Sequence, residues 1–227
     1  MIAGFLIVYP LFVRNIAALS SKAAVRQLSA GMPVWLSDEA ERTAWREEKS
    51  RQFDQFNRLA SITMLPVTAE SLNGQAVTLE GRCQIVAGLP EAELLTSIWS
   101  ELGRIRQLGL NIAGWGIREQ CWPRLLNRSL CLGLAIPDWA KPNLARKWMD
   151  VELDDLSMMY SCGIYEKVRP LPRLHDALSF WLERPFPDED MVLLQAEVKP
   201  DDPAILTATC EYVRGLAEVL HRYLRAA

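Results

Sequence analysis

Acidic side chains are missing from the N-terminal part of the sequence. The first of the 28 Asp and Glu residues is Asp38, so no strand before it can supply a carboxylate. Histidine is nearly absent, with only His175 and His221, and no two of the five cysteines form a CxxC pair. Zinc fingers and disulfide scaffolds use closely spaced Cys and His residues. The sequence therefore argues against both, and it favours the reducing cytoplasm as the location.

An excess of positive charge is also missing. The 25 Lys and Arg residues leave a formal net charge of −3 in the 227-residue chain, and the isoelectric point is about 5.6. Proteins that hold nucleic acid through a broad basic surface carry the opposite balance. The charge excludes that class but leaves a local basic groove open.

The apolar N-terminal run is too short for a membrane span. Residues 2–13 are apolar apart from Gly4, Tyr9 and Pro10, whereas a bilayer-crossing helix needs roughly 20 residues. The run also lacks the basic region and the small-residue cleavage site of a signal peptide. We therefore expect a buried strand here and no membrane partner.

Hydrophobic patterning predicts a single α/β domain over residues 1–227, because half of the residues are hydrophobic and no repeat is visible. The predicted strands are residues 5–9 (ended by Pro10), 59–67, a hairpin of 76–79 with 83–86, 110–116, and a strand or turn within 149–156. The predicted helices are a short one, or a loop carrying one, within 16–28, one capped by Ser37, one that opens at Pro90 and ends near Arg104 and Arg106, and 122–132, 174–182 and 203–224, with a loop at 184–190.

The segment 111–130 carries a recognisable motif. A strand runs into Gly114, Trp115 and Gly116, and a helix with Pro123 in its first turn and Arg124 beside it follows. This order resembles the second motif of the predicted 3′–5′ exonucleases related to the proofreading domain of family-B DNA polymerases. In that family the strand enters Gly-Trp-Asn, then Phe-Asp, then a Pro-x-Leu helix with an Arg.

The resemblance extends over nearly the whole chain. Residues 151–156 are similar to the family's His-x-Asp-Leu stretch, residues 174–182 to its short helix, and Cys210 with Glu211 to its terminal Tyr-Cys-Glu helix. Residues 36–39 and 59–67 fit the loop and second strand. The resemblance implies an RNase H-like fold, with a mixed central sheet flanked by helices, of the DEDD exonuclease superfamily.

The carboxylates that this resemblance implies are missing. Two-metal phosphodiester cleavage needs several carboxylates around two divalent ions about 4 Å apart. The family's acidic positions match Tyr9 and Leu11 on the first strand, Cys121 in the second motif and approximately Val213 on the last helix. The resemblance thus implies a pseudoenzyme with vestigial catalytic positions, no metal ligand and no cofactor.

Other acidic residues leave open the alternative of an active exonuclease. In this alternative, Mg²⁺ or Mn²⁺ is bound by relocated carboxylate ligands, namely Glu119, Asp150 and Glu211. The cluster of Asp150, Glu152, Asp154 and Asp155 is consistent either with a solvated face or cap or with metal binding. Cys121 is a poor candidate nucleophile, because no motif places a histidine beside it.

The same motif contains candidate residues for binding nucleic acid. They are Trp115, Arg118, Trp122, Arg124 and Arg128. Arginine beside indole can hold a phosphate and stack on a base. The alternative is that the tryptophans pack in the core and Arg128 belongs to an ion pair.

Three functions are consistent with these patterns. The first is an inactive exonuclease-like protein that serves as a binding or scaffolding subunit of a nucleic-acid-processing assembly, with a protein partner and single-stranded DNA or RNA. The second is an active metal-dependent 3′–5′ exonuclease with relocated carboxylates, and the third is a pure protein–protein interaction module. We expect the first, because the first strand offers no carboxylate to bridge two metals.

Overall fold

The centre of the molecule is a mixed five-stranded sheet. The computed structural model describes residues 4–15, 19, 22–50, 57–68, 82–141, 153–160 and 172–226. The strands are β1 (Gly4–Arg14), β2 (Asn57–Thr68), β3 (Gln84–Ala87), β4 (Leu110–Gly114) and β5 (Leu153–Asp155). Their order is β3-β2-β1-β4-β5. The pairs β1–β2 and β2–β3 are antiparallel, whereas β4 runs parallel to β1 and β5 runs parallel to β4.

Helices cover both faces of this sheet. They are α1 (Lys22–Ser29), α2 (Glu39–Ser50), α3 (Glu91–Gln107), α4 (Trp122–Cys131), α5 (Ser157–Tyr160), α6 (Leu174–Leu182), α7 (Glu189–Val198) and α8 (Pro203–Ala226). Side chains of a strand alternate between faces. Accordingly, Ile7, Tyr9, Leu11 and Val13 pack with α6, α7 and α8, and Leu6, Val8 and Phe12 pack with α3 and α4.

This arrangement confirms the predicted α/β class with an RNase H-like mixed sheet flanked by helices. A strand buried on both faces must be apolar along its whole length. That requirement explains the run of buried residues in β1, which is the central strand. No helix in the described part of the chain is both long and apolar enough to cross a membrane.

The prediction that Pro10 ends the first strand is wrong, because β1 continues to Arg14. Pairing of β1 with β4 stops at Ile7, whereas pairing with β2 continues past Pro10. The carbonyl of Val8 lies on the β4 side, because a Cβ atom added at Gly114 would be 2.8 Å from its oxygen. Within a strand, the backbone nitrogen and carbonyl of one residue face the same neighbouring strand, and so do those of the residue two positions further on. The nitrogen of Pro10 therefore faces the side where the β4 ladder has already ended. Proline is tolerated there because no ladder hydrogen bond is lost.

Two further predictions about local structure need correction. Residues 184–190 are predicted to form a loop, but α7 begins within this segment at Glu189. The Asp188 side chain caps this helix by accepting hydrogen bonds from Asp190 N at 2.8 Å and Met191 N at 3.2 Å. The second correction concerns the N-terminal cap of α2, for which the sequence predicts Ser37. The side chain of Asp38 instead accepts a hydrogen bond from the backbone N–H of Ala40, in the first turn of α2, at 3.2 Å.

Other predicted elements agree with the structure. The helix at residues 174–182 has the predicted bounds, and α4 and α8 differ from their predicted ends by one or two residues. Of the predicted hairpin, residues 84–87 form β3, which pairs with β2. The segment 76–79 lies outside the described residues.

Candidate functional site

Three of the four positions at which the family resemblance implies acids are buried in one apolar cluster. Tyr9 and Leu11 of β1 and Val213 of α8 are 8%, 1% and 0% exposed, and all three belong to the cluster between the sheet and α6, α7 and α8. The rings of Tyr9 and Tyr212 pack 5.2 Å apart in this cluster. Divalent magnesium and manganese prefer charged oxygen ligands. Hydrocarbon and phenol side chains occupy this space instead.

The fourth position, Cys121, lies at the end of the π-helical turn Ile117–Cys121 that joins β4 to α4. Its thiol contacts the carbonyl of Trp115, with 3.6 Å between sulfur and oxygen. Burial raises the pKa of the Cys121 thiol to about 12; nearby Arg124 acts in the opposite direction, while Asp155 and Glu189 add to the rise. A thiol with this pKa is protonated near neutral pH, so Cys121 is not an activated nucleophile.

Glu189 is a carboxylate at this site that the sequence analysis missed. Its Oε1 accepts a hydrogen bond from the Tyr9 hydroxyl at 2.9 Å, and its Oε2 accepts one from the backbone N–H of Leu174 at 3.0 Å. Burial, and next the charge of Glu189, raise the pKa of Tyr9 well above its usual value. One oxygen of this carboxylate therefore links α7 to β1, and the other links α7 to the start of α6.

Asp155 is a second carboxylate near the site, and it is also bound by protein donors. Its Oδ1 accepts from Gly116 N, from Ser157 N and from the Ser157 hydroxyl, at 3.0, 3.0 and 2.6 Å. Its Oδ2 accepts from the backbone N–H of Arg118 at 3.2 Å. Asp155 thus ties the turn after β4 to the end of β5, which favours the cap interpretation for this member of the acidic cluster.

The remaining acids of interest are spread over different environments. Asp154 accepts from the Asn111 amide at 3.0 Å. Glu119 is exposed, Glu211 is half-buried, and Asp150 and Glu152 lie outside the described residues. Across the ranges that the structure describes, no three His, Cys, Asp or Glu side chains form a group able to hold a metal ion. The residues at the four matched positions do not fit a two-metal centre.

The structure corrects two of the five candidate nucleic-acid-binding residues. Trp122 is 0% exposed and packs edge-on against Trp99, with ring centroids 5.3 Å apart. Arg128 is buried as well, and its guanidinium binds both oxygens of Glu91 at 2.8 and 2.6 Å. Trp122 is enclosed by the core and Arg128 is almost fully buried in its ion pair, so neither side chain presents a surface for nucleic acid in this fold.

The other three candidates remain at or near the surface. Arg118 is exposed, and its Nε donates to the carbonyl of Leu153 at 2.6 Å. Arg124 is half-buried with its guanidinium carbon 5.7 Å from the centroid of the Phe12 ring. Trp115 is half-buried and packs edge-on against Trp181 at 5.8 Å. All three flank the turn that carries Cys121.

Comparisons with known proteins find similarity among solved structures. No family model matches the sequence, and no curated protein matches it. Among solved structures, the chain is similar to the family B DNA polymerase from the hyperthermophilic archaeon Pyrobaculum calidifontis, with a TM-score of 0.49 and 13% sequence identity over 96% of this chain. The chain spans 24% of that polymerase's length. A similarity of this size carries no statement about activity.

Proposed function

We propose that the protein is a catalytically inactive 3′–5′ exonuclease-like protein that acts as a nucleic-acid-associated binding or scaffolding subunit of a larger assembly. One observation carries the proposal. Tyr9, Leu11 and Val213 stand at the positions that match the family's acids, and the three are packed together in the core. The space that metal ions would occupy is therefore filled by core side chains, in addition to lacking carboxylate ligands.

Inactivity follows from the chemistry that two metals supply. Such ions orient the substrate, generate the attacking hydroxide and stabilise the leaving oxygen. The two carboxylates near the former site, Asp155 and Glu189, already accept hydrogen bonds on both of their oxygens. Recruiting them as ligands would leave the Tyr9 hydroxyl and several backbone amides without their partners, at a cost of about 1–3 kcal/mol each.

Binding is supported by the side chains on the turn beside this site. Arg118 and Arg124 carry positive charge, and Trp115 offers an indole ring next to them. A guanidinium binds phosphate and an aromatic ring stacks on a base, which suits single-stranded DNA or RNA. Because the whole chain has a net charge of −3, we expect weak binding by the protein alone. A protein partner in the assembly would then supply the remaining affinity.

A nuclease assay on the full chain tests the catalytic part of the proposal. Single-stranded DNA and RNA, each labelled at the 5′ end, are incubated with the purified protein and Mg²⁺ or Mn²⁺. We expect no shortening of either strand. Metal-dependent stepwise shortening that is lost in Glu119→Gln, Asp150→Asn or Glu211→Gln would establish the alternative, an active exonuclease with relocated carboxylates.

A binding titration tests the nucleic-acid part. Fluorescence anisotropy of a labelled single strand is measured at increasing salt for the parent chain, Arg118→Ala, Arg124→Ala and the control Arg104→Ala. Arg104 is an exposed arginine of α3, paired with Glu101 away from this turn. We expect steep weakening with salt, and weaker binding with a shallower slope in the first two variants only. Absence of salt-sensitive binding would favour the pure protein–protein module.

A further inference from the structure

A cavity of about 280 Å³ opens between α5, α6 and α8. It is lined by Met159, Trp181, Val219, Arg222 and Tyr223. None of these residues belongs to the motif that suggested the proposed function. The walls are apolar and aromatic, and one guanidinium is among them.

The walls of the cavity are held in place by neighbouring contacts. The Trp181 ring packs against Trp115, with their planes at 75°. The Arg222 guanidinium donates to the Trp181 carbonyl at 3.0 Å and to a carboxylate oxygen of Glu218 at 2.8 Å. Only two of its five N–H groups are needed for these two bonds. The charged group is thus anchored to the backbone of Trp181 and retains donors for a ligand.

The size and the chemistry of the cavity select its occupant. Sites for drug-sized ligands measure roughly 300–1,000 Å³, so this cavity admits a single planar ring and not a helix. Indole, phenol and thioether groups favour an aromatic ring, and a guanidinium favours a neighbouring anion. A nucleotide within a strand combines a planar base with a phosphate. An aromatic side chain of a protein lacks the anion.

The cavity is also joined to the turn that carries Arg118. Trp115 lies between β4 and that turn, three residues before Arg118, and its ring contacts Trp181 in the cavity wall. A strand whose phosphates lie near Arg118 can therefore continue along the two tryptophans towards the cavity. Aromatic platforms and cations alternate in this way along single-strand binding surfaces.

We propose that this cavity binds one unpaired base of single-stranded nucleic acid between the rings of Trp181 and Tyr223, with the adjoining phosphate on Arg222. The inference rests on the proposed function, since it requires that the protein contact a single strand. It adds a base-binding subsite outside the former catalytic positions.

The test compares two strands that differ only in their bases. Anisotropy at low salt is measured with the full chain, a short labelled oligothymidylate and a strand of the same length made of abasic sites. The variants are Trp181→Leu and Tyr223→Ala, and the control is Trp35→Ala. Trp35 is 75% exposed between α1 and α2, so it reports the effect of removing a surface aromatic ring elsewhere.

We expect the parent chain to prefer the thymidylate strand. Either cavity variant should raise the Kd of that strand roughly 5- to 100-fold and leave the Kd of the abasic strand nearly unchanged. Trp35→Ala should change neither value. Trp181 also packs against Trp115, so Trp181→Leu can disturb folding. Tyr223 is more exposed, and Tyr223→Ala is therefore the variant that is less disruptive to the fold.

Equal, salt-sensitive affinity for both strands in the parent chain would overturn the base-binding cavity and leave the proposed function in place. Failure to bind either strand would overturn both. Displacement of the strand by N-acetyltryptophanamide, without any preference between the two strands, would identify a protein side chain as the occupant and would also overturn the proposal.

Discussion

The hydroxyl of Tyr9 donates a 2.9 Å hydrogen bond to the Glu189 carboxylate, which joins the central strand to the first residue of α7. A neutral phenol thus stands at a position where the family resemblance implies an acid. A carboxylate in its place would face Glu189 with no cation between them, and two such charges repel each other. The Tyr9–Glu189 pair is compatible with a folded core that contains no metal.

The burial of Tyr9 and Cys121 predicts a loss of stability at alkaline pH. Both pKa values are raised in the folded chain: that of Tyr9 above its usual 10.0, and that of Cys121 from 9.0 to about 12. The unfolded chain therefore releases protons first as the pH rises above about 9–10. The free energy of unfolding should fall by about 1.4 kcal/mol per pH unit for each group, until the folded pKa is reached.

Urea unfolding between about pH 8 and pH 11 measures this slope. Tyr9→Phe removes one of the groups with a raised pKa, which also include Cys210 and Tyr212, so its slope should be shallower than that of the parent chain. The comparison concerns slopes and not absolute stability, because the variant also loses the bond to Glu189. Identical slopes would show that Tyr9 does not remain protonated in the folded state.

Thiol labelling should separate Cys131 from Cys121. Cys131 is exposed, whereas Cys121 is half-buried and the pKa of its thiol is raised to about 12. Near pH 8 only about one Cys121 in 10⁴ is then a thiolate, which is the reactive form. We expect iodoacetamide to modify the peptide that contains Cys131 first, as followed by mass spectrometry. Comparable rates at the two cysteines would contradict the raised pKa of the Cys121 thiol.

Replacement of Arg128 should damage stability, because its partner is buried. Glu91 also accepts the backbone N–H of Leu59 at 2.7 Å, and Arg128 and Glu91 side chains are 7% and 12% exposed. Arg128→Met leaves the Glu91 charge without its counter-ion, which should cost about 3 kcal/mol of unfolding free energy. The matched control is Arg104→Met in the exposed Glu101 pair, which should cost less than about 1 kcal/mol.

The same variants distinguish a structural arginine from a binding one. Below its unfolding transition, Arg128→Met should bind single-stranded nucleic acid as well as Arg104→Met does. A selective loss of binding by folded Arg128→Met would contradict the buried position of this side chain.

Gly114 should be intolerant of any side chain. A Cβ atom added there would lie 2.8 Å from the carbonyl oxygen of Val8, which is a backbone atom that cannot move aside. Gly114→Ala should therefore cost about 1–3 kcal/mol through separation of β4 from β1. In Gly103→Ala, the nearest atom would be 3.7 Å from the new Cβ, and α3 would gain helix propensity. Urea denaturation should show opposite signs for the two variants.

Much of the local structure could be predicted because its signals lie within a few residues. The bounds of α6 follow from a compact apolar segment, and α4 follows from Pro123 in its first turn. The helix α7 escaped prediction because its apolar residues have no clear helical periodicity, although its cap, Asp188, is visible in the sequence. The candidate site was predicted less well, since Glu189 approaches Tyr9 from 180 residues away.

The amino-acid sequence alone determined that the first strand carries no acid, because Asp38 is the first acidic residue. It also determined the α/β class, through apolar periodicities that each element carries within itself. Only the tertiary structure decided that Pro10 stays within a strand, that Trp122 and Arg128 are buried, and that Asp155 and Glu189 are occupied by protein donors. These outcomes depend on partners distant in the chain, and burial and hydrogen bonding between distant segments exist only after the chain has folded.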